Sequence, residues 1–329
     1  MRTYILQFLT LSLGVTAIAV HAEDTCPYRG DLDAPFCDAN RDMVADPPTD
    51  PTKFKNPDTI VFTYSPVEDP SHYEKVFKPF TEYLAQCTGK RVVYSQAKSH
   101  GAEIEAMLTG RLHVGCFSTG PTAFAVNVAG AVPFAMRGNA DGPHGYNLLL
   151  IVRADSPFQK ITDLKGKRVA HTAPTSNSGN MVPMVLFPKV GLVPNKDYQP
   201  MFSGRHDRSV LGVAAGDYDA AAVASDVFYR MVARGTVKAS DFRIIYKSGR
   251  FPTEPFSYVY DLDPKLRDRF VNCFFKFRFP PEMQREFDGA DRYVPVDYRK
   301  DWAIVREVAQ GSGEKFGRAA EEKEAAAKR

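Results

Sequence analysis

The chain has 329 residues, which is enough for two domains of ordinary size. It carries 42 Lys and Arg against 39 Asp and Glu, a formal net charge of +3. This near-balance, with no run of basic residues interleaved with aromatics, argues against a nucleic-acid partner.

The first 22 residues have the pattern of a secretory signal peptide. Arg2 supplies a positive start, residues 5–20 are almost wholly apolar, and Val20-His21-Ala22 suits cleavage after Ala22. An uncleaved membrane anchor is the alternative, but the apolar stretch is short for a membrane span. We therefore expect a periplasmic protein with no stable membrane anchor after cleavage.

The five cysteines are informative because an oxidising compartment favours disulfides. Cys26 and Cys37 share one short polar segment and can close a small loop. Cys87 and Cys273 lie on two amphipathic helical patterns, and we expect them to form the second pair. Because five is odd, Cys116 is left as a free thiol.

Residues 23–56 have no hydrophobic period and are rich in Pro, Asp and Asn, so we interpret them as an N-terminal extension stapled by the first disulfide. Oxygen-bearing side chains recur there at alternate positions in Asp38, Asn40 and Asp42, with Asp46 beyond them. Calcium loops show this alternation, although the usual central glycine is replaced by Arg41. A solvated acidic turn is the alternative.

Strand and helix patterns alternate from Thr59 onward. Apolar runs predict strands at 59–64, 91–95 and 112–117, and helical spacing predicts helices over 73–87, 99–108 and 121–129. This order predicts an α/β fold with a parallel sheet.

A second α/β unit follows, bracketed by the extended segments 146–152 and 256–261. We expect a discontinuous first domain over 57–148 plus 253–311, a second domain over 149–252, and a polar tail over 312–329. Because the chain crosses between the domains twice, the crossings predict a hinge that closes around a ligand.

The turn Thr175-Ser176-Asn177-Ser178-Gly179 joins a predicted strand to a helix start. Ligands in open α/β sheets bind at the carboxyl ends of strands, and a helix start presents unpaired N–H groups. An ordinary N-cap is the alternative, but one serine satisfies a cap and this turn has more hydroxyls than that. We interpret it as an anion cradle.

A second turn, Cys116-Phe117-Ser118-Thr119, follows another predicted strand. A thiol just before a helix start feels the positive end of the helix dipole, which favours the thiolate. The alternative is a buried cysteine that acts as a small hydrophobic residue.

Three further positions complete the candidate ring of ligand contacts. His206 and Asp207 begin a helix in the second unit, Tyr64 and Ser65 follow the first strand, and Asp226 begins another helix. No GxSxG elbow, P-loop, HExxH or strand-associated GxGxxG is found in the sequence. A Cys116–His206 nucleophile pair lacks an orienting third residue, so we expect neither an enzyme nor a cofactor.

Residues 58–306 resemble the phosphonate, phosphite and phosphate substrate-binding proteins of ABC importers. The resemblance rests on Asp163-Leu-Lys-Gly-Lys167, the 175–179 turn, Phe202-Ser-Gly-Arg-His-Asp207 and the order of elements. It implies a type II periplasmic-binding-protein fold, ligand contacts from the 175–178 turn, His206 as a donor, and a less certain contact from Asp207.

Cys116 departs from the importers, which offer hydroxyl or aromatic groups at that turn. A cysteine at that turn, together with the Cys-rich N-terminal extension, resembles the periplasmic arsenite-binding regulators. Those proteins act with a membrane sensor histidine kinase to control arsenite oxidation. Soft metalloid centres prefer sulfur, and the cleft turns hold no dense set of Lys and Arg. The first hypothesis is therefore an arsenite sensor in which the Cys116 thiolate bonds As(III). The alternative is an importer's binding protein for a phosphite-, phosphonate- or phosphate-like oxyanion, with an ABC permease as its partner.

Overall fold

The computed structural model describes residues 26–313 and 316–317. The expected signal peptide and most of the polar tail lie outside the described residues. Within the described part, no helix is both long enough and apolar enough to cross a membrane.

Twelve strands and ten α-helices are assigned along the described chain. The strands are β1 Thr59–Tyr64, β2 Arg91–Tyr94, β3 Val114–Cys116, β4 Ala131–Asn139, β5 Gly142–Pro143, β6 Gly145–Arg153, β7 Val169–His171, β8 Pro200–Phe202, β9 Ala220–Ala224, β10 Phe242–Pro252, β11 Pro255–Val259 and β12 Arg292–Pro295. The helices are α1 Ser71–Thr88, α2 His100–Leu108, α3 Thr119–Ala129, α4 Val182–Leu186, α5 His206–Ala215, α6 Ser225–Ala233, α7 Pro264–Lys276, α8 Pro281–Glu286, α9 Tyr298–Asp301 and α10 Ala303–Ser312, with a π-helical turn over Asn177–Met181 before α4.

The strands form two sheets. The first has the order β12-β4-β11-β3-β1-β2, with β5 paired to β4, and the second has the order β10-β6-β9-β7-β8. The first sheet is thus built from strands before residue 144 and after residue 254, and the second from the chain between them. The assignment of whole domains to 57–148 plus 253–311 and to 149–252 stays a prediction.

Both sheets are mixed, so the expectation of a parallel sheet is wrong for six of the ten strand pairings in the described chain. The β1–β2, β1–β3, β7–β8 and β7–β9 pairs are parallel, as strand–helix alternation predicts. The strands at the two crossings, β4, β6, β10 and β11, pair antiparallel. These four strands lie next to the two points where the chain passes from one sheet to the other, and each runs opposite to its neighbours in the sheet.

Strand β4 is the longest element that the sequence pattern missed. It contains Pro133 and Gly138, both of which weaken a strand prediction. Pro133 is accommodated at an irregularity, since the register with β11 shifts between Phe256 and Ser257. The strand matters because it carries Arg137 to the boundary between the two sheets.

The N-terminal extension packs against the first sheet's side of the molecule. Phe36 meets the Tyr260 ring edge-on at 5.0 Å, and the backbone N–H of Asp33 donates to the Asn127 carbonyl. Both expected disulfides are present: Cys26–Cys37 closes the extension, and Cys87–Cys273 joins α1 to α7.

Helix α3 is buried along its whole length. It contacts α2, β4, the π-helical turn and α10, so it lies between elements of both sheets. A side chain at Gly120 would collide with the carbonyl of Thr175, which explains why the first turn of α3 needs a glycine. The start of α3 and the 175–178 turn are therefore in direct contact.

Candidate functional site

The predicted helix starts meet at the boundary between the two sheets. His100, at the start of α2, bridges the boundary: its Nδ1 lies 3.3 Å from Thr175 Oγ1 and its Nε2 lies 3.3 Å from Ser118 Oγ. On the other side, the backbone N–H of His206 donates to the Val67 carbonyl. Helix starts from both sheets thus surround one buried region.

The 175–178 turn is buried at every position. Ser176 does what an ordinary cap does, because its Oγ accepts from the Gly179 N–H at 3.2 Å. Asn177 Nδ2 donates to the Tyr146 hydroxyl at 3.0 Å. The turn therefore holds Ser178 and Thr175 hydroxyls beyond what the cap requires, as the sequence indicated.

Ser118 stands in the N-cap position of α3, but its side chain makes no capping hydrogen bond. Its Oγ is instead directed to His100. Thr119 Oγ1 donates to the Pro252 carbonyl at 2.9 Å, and the Thr119 carbonyl accepts from the Trp302 indole. Phe117 is fully buried. We call Ser118, Thr119 and the 175–178 turn the hydroxyl cradle.

Cys116 is the last residue of β3, two residues before Ser118 of the hydroxyl cradle. It pairs with Tyr64 across β1 and β3 and with Phe256 across β11, so its side chain points to the sheet face that carries those aromatic rings. It is 1 % exposed, and its Sγ lies 3.9 Å from the Glu254 carbonyl oxygen. Burial raises the pKa of the Cys116 thiol well above its usual range. This is opposite to the thiolate that the sequence led us to expect, and it matches the small hydrophobic alternative.

A buried ion-pair network, which the sequence analysis missed, fills the other side of the boundary. It comprises Glu68, Arg137, Asp226, Arg230, Arg234, Glu254 and Glu286. Arg137 Nη2 lies 3.1 Å from Asp226 Oδ2 and 2.7 Å from Glu254 Oε2, and its Nη1 donates to the Tyr64 hydroxyl at 3.2 Å. Arg137 comes from the first sheet and Asp226 from α6, so this contact joins the two halves.

The same network continues through Glu68, in the loop after β1. Its carboxylate lies 3.1 Å from Arg230 Nε and 3.0 Å from Arg234 Nη1, and it accepts from the Tyr73 hydroxyl at 2.6 Å. Arg234 also pairs with Glu286. Although burial opposes ionisation, the two guanidinium groups hold the pKa of Glu68 below its usual range. The loop that carries Ser65 is thereby held against α6.

His206 and Asp207 have different surroundings. The His206 Nδ1 accepts from the Ala224 N–H at 3.1 Å, and burial lowers the pKa of His206 to about 4. The ring is therefore neutral, with its proton on Nε2 as a donor. Asp207 is half-buried, and its Oδ1 accepts from Arg205 Nε and the Arg208 N–H, both beside it in sequence. These local bonds account for Asp207 without a ligand.

Glu103 is a second group that the sequence analysis did not identify. It lies one turn after His100 on α2, is fully buried, and accepts from the Thr63 hydroxyl at 2.5 Å. Burial raises the pKa of Glu103 to about 8, so its carboxyl is neutral at neutral pH. The only sequence signal was its place on the apolar face of a helix beside Ile104 and Met107.

The acidic residues of the N-terminal extension bind backbone N–H groups. Asp38 accepts from the N–H groups of Asp42 and Met43, and Asp46 accepts from the Ala39 N–H. Asn40 is bonded to Asp42. The side-chain oxygens thus fold a turn by binding backbone, and no cluster of three or more metal-ligating His, Cys, Asp or Glu side chains occurs among the described residues. These bonds indicate an acidic turn in which Asp38 is buried and Asn40 and Asp42 are exposed, and a calcium loop here stays a prediction.

Comparison with known proteins decides the family. The profile of the ABC transporter phosphonate periplasmic substrate-binding proteins matches residues 62–302. The chain belongs to this family. As a phosphonate-type binding protein it belongs to a family of substrate-binding proteins rather than enzymes, and the family implies a periplasmic location.

Two curated relatives are similar over much of this phosphonate-type binding protein. The "Phosphate-import protein PhnD" of Mycolicibacterium smegmatis is 28% identical over 275 residues, covering 79% of this chain and 85% of the relative. The "Phosphonates-binding periplasmic protein" of Escherichia coli is 24% identical over 219 residues, covering 65% of each chain.

Solved structures establish the type II periplasmic-binding-protein fold. A phosphonate-transporter binding protein from Pseudomonas aeruginosa has a TM-score of 0.70 at 22% identity, covering 78% of this chain and 86% of that one. PhnD1 of Prochlorococcus marinus, solved with methylphosphonate, has a TM-score of 0.70 at 17% identity, covering 79% and 100%. The expected fold class is confirmed.

Proposed function

We propose that this protein is the substrate-binding component of an ABC importer and that it captures a small phosphorus oxyanion of the phosphonate, phosphite or phosphate class. The observation that carries the proposal is the hydroxyl cradle, in which two helix starts from different sheets bring buried hydroxyls together. Helix starts bind oxyanions through unpaired N–H groups and the positive end of the dipole.

In this proposal the ligand lies between the cradle and the neutral His206 ring. The 175–178 turn and Ser118 supply hydroxyls and backbone N–H groups, and His206 Nε2 donates from the opposite side. Ser65 follows β1, and its buried hydroxyl lies beside Glu103, so it is a further candidate contact. Tyr64 and Asp226 belong to the ion-pair network that holds the two halves together around this region.

The relatives support the ligand class, since one is described as importing phosphate and another as binding phosphonates. Family membership likewise favours an ABC permease as the partner. Arsenite sensing through a histidine kinase has no comparable support, because the Cys116 thiol is buried, burial raises its pKa well above its usual range, and its side chain shares a sheet face with Tyr64 and Phe256.

Calorimetric titration separates the two readings. We expect the protein to bind phosphite, methylphosphonate or phosphate, and the Cys116→Ser variant to retain that affinity. The proposal would be overturned if the protein bound arsenite and none of the three phosphorus oxyanions, and if Cys116→Ser abolished arsenite binding. That result would favour the arsenite sensor.

A further inference from the structure

Two buried acceptor atoms at the boundary have no hydrogen-bond partner within the described residues. They are Asp226 Oδ1 and Asn177 Oδ1. Asp226 has a side chain that is 10% exposed, and Asn177 is 3 % exposed as a residue. Leaving a buried acceptor unpaired is costly, on the order of 1–3 kcal/mol, so such atoms point to a ligand that supplies hydrogen.

The acceptor role of Asn177 follows from its neighbours. The Thr119 hydroxyl donates to the Pro252 carbonyl at 2.9 Å. The Tyr146 oxygen accepts from Asn177 Nδ2. With the amide in this orientation, Asn177 Oδ1 is the unpaired atom.

Asp226 uses only one of its two oxygens. Its Oδ2 accepts from Arg137 Nη2 at 3.1 Å and from Arg230 Nη1 at 3.0 Å, while its Oδ1 is unpaired. The nearby guanidinium groups hold the pKa of Asp226 below its usual range despite its burial. Asp226 Oδ1 is therefore a permanent acceptor that cannot donate.

The cations around Asp226 are outnumbered by carboxylates. Arg137 on β4 and Arg230 on α6 are the cations that face it, and the carboxylates that pair with them are Asp226 itself, Glu254 and Glu68. The remaining neighbours are the neutral His206 ring on α5 and the Tyr146 hydroxyl on β6. No surplus positive charge is left there to compensate a doubly charged ligand.

Resting on the proposed function, we infer that the site takes its phosphorus oxyanion as a protonated monoanion, whose P–OH donates to Asp226 Oδ1. The N–H and O–H groups of the cradle donate hydrogen bonds to the remaining, unprotonated oxygens. A dianion would instead place an unprotonated oxygen against the Asp226 carboxylate, where charge repulsion and the missing hydrogen bond both disfavour it. Asp226 is then the residue that selects the protonation state of the ligand.

Calorimetry of the wild-type protein and of a His100→Asn variant with phosphite from about pH 5.5 to about pH 7.5 tests the inference, because phosphite loses its second proton within this range while Asp226 and His206 do not titrate there. The variant removes the His100 ring, which contacts Ser118 and Thr175, so a pH dependence that persists in it comes from the ligand. Glu103, whose pKa is near 8, stays largely protonated throughout. We expect Kd to rise towards roughly tenfold per pH unit above the second pKa of the ligand. Methanesulfonate, a monoanion with no proton to donate, should not bind measurably.

The Asp226→Asn variant replaces the acceptor with an amide that can donate, so its phosphite affinity should become flat or increase with pH. Glu254→Gln is the matched control: it also removes one negative charge beside Arg137, but it should keep the wild-type pH dependence. Melting curves establish whether both variants are folded. If a variant does not fold, the pH dependence of phosphite affinity in the wild-type protein still tests the inference.

The outcomes are distinguishable. Phosphite binding that is flat or strengthens with pH in the wild type overturns the inference and leaves the proposed function intact. Tighter binding of an aminoalkylphosphonate than of phosphite across the range also overturns it, because the donor to Asp226 would then be an ammonium group. If no phosphorus oxyanion binds at any pH, the proposed function fails and this inference fails with it.

Discussion

The two sides of the boundary between the sheets are built on different principles. The hydroxyl cradle consists of short, uncharged side chains at helix starts, each close in sequence to its neighbours. The buried ion-pair network consists of long charged side chains drawn from five separate segments of the chain. The cradle is suited to contacting a ligand, whereas the network joins the two halves of the protein and fixes where the cradle's parts meet.

This contrast predicts that changes in the network alter folding and changes in the cradle alter binding, except at Asp226, the network residue that we infer also contacts the ligand. A network residue is paired on several sides in a buried setting, so its removal leaves other charges uncompensated. A cradle hydroxyl that is not used by the protein itself costs little stability when it is lost. Each of the following variants tests one side of the comparison.

Arg137→Met should have the largest effect. It leaves Asp226 and Glu254 without a principal partner in a buried setting, and breaking a buried pair costs about 3–5 kcal/mol. Urea denaturation measures the loss in the free energy of unfolding. Arg153→Met is the control, because its pair with Asp155 is exposed and its loss should leave the unfolding midpoint unchanged. Equal midpoints for the two variants would show that the network is not structural.

Glu103→Gln should change how stability depends on pH. The folded-state pKa of Glu103 is raised to about 8 from an ordinary value of 4.5, so between these values the folded state holds a proton that the unfolded state has lost. Wild-type stability should therefore fall by up to about 1.4 kcal/mol per pH unit across this range. Gln cannot ionise, so the variant should lack this contribution and be more stable near pH 7.

Unfolding curves at about pH 5 and about pH 7.5 provide the comparison for Glu103→Gln. Glu105→Gln, on the exposed side of the same helix, is the matched control and should retain the wild-type slope. A wild-type slope in Glu103→Gln would mean that the carboxyl is already ionised in the folded protein.

Ser178→Ala should have the smallest effect on the fold and a measurable effect on binding. Loss of one hydrogen bond to the ligand costs about 0.5–1.5 kcal/mol, which weakens affinity by roughly two- to tenfold. Calorimetry with phosphite measures the change, and Ser240→Ala, at an exposed serine bonded only to Asp241, serves as the control. An unchanged affinity in Ser178→Ala would remove this hydroxyl from the cradle.

The same contrast explains what the sequence could and could not predict. The strand–helix order and the hydroxyl-rich turn at 175–178 are local patterns, and both were recognised. Strand β4 was missed because Pro133 and Gly138 disguise it, and Arg137 was missed with it. The partners of Arg137 lie 89 and 117 residues away, so no local pattern could connect them.

Cys116 and the acidic extension show how local patterns mislead. A cysteine before a helix start suggests a thiolate, but the strand pairing turns its side chain towards Tyr64 and Phe256, where burial outweighs the dipole. Alternating oxygens from Asp38 onward suggest a calcium loop, yet nearby backbone N–H groups occupy them first. In both cases the direction of the side chain determines which groups it contacts, and that direction depends on tertiary structure.

A crystal structure of the protein with methylphosphonate tests the central claim most directly. We expect the ligand oxygens to lie within about 2.7–3.2 Å of donors of the hydroxyl cradle and of His206 Nε2. The Asp226 Oδ1 atom should contact a protonated oxygen of the same group. A ligand that lies elsewhere on the protein, or that leaves the cradle and His206 without contacts, would contradict the account.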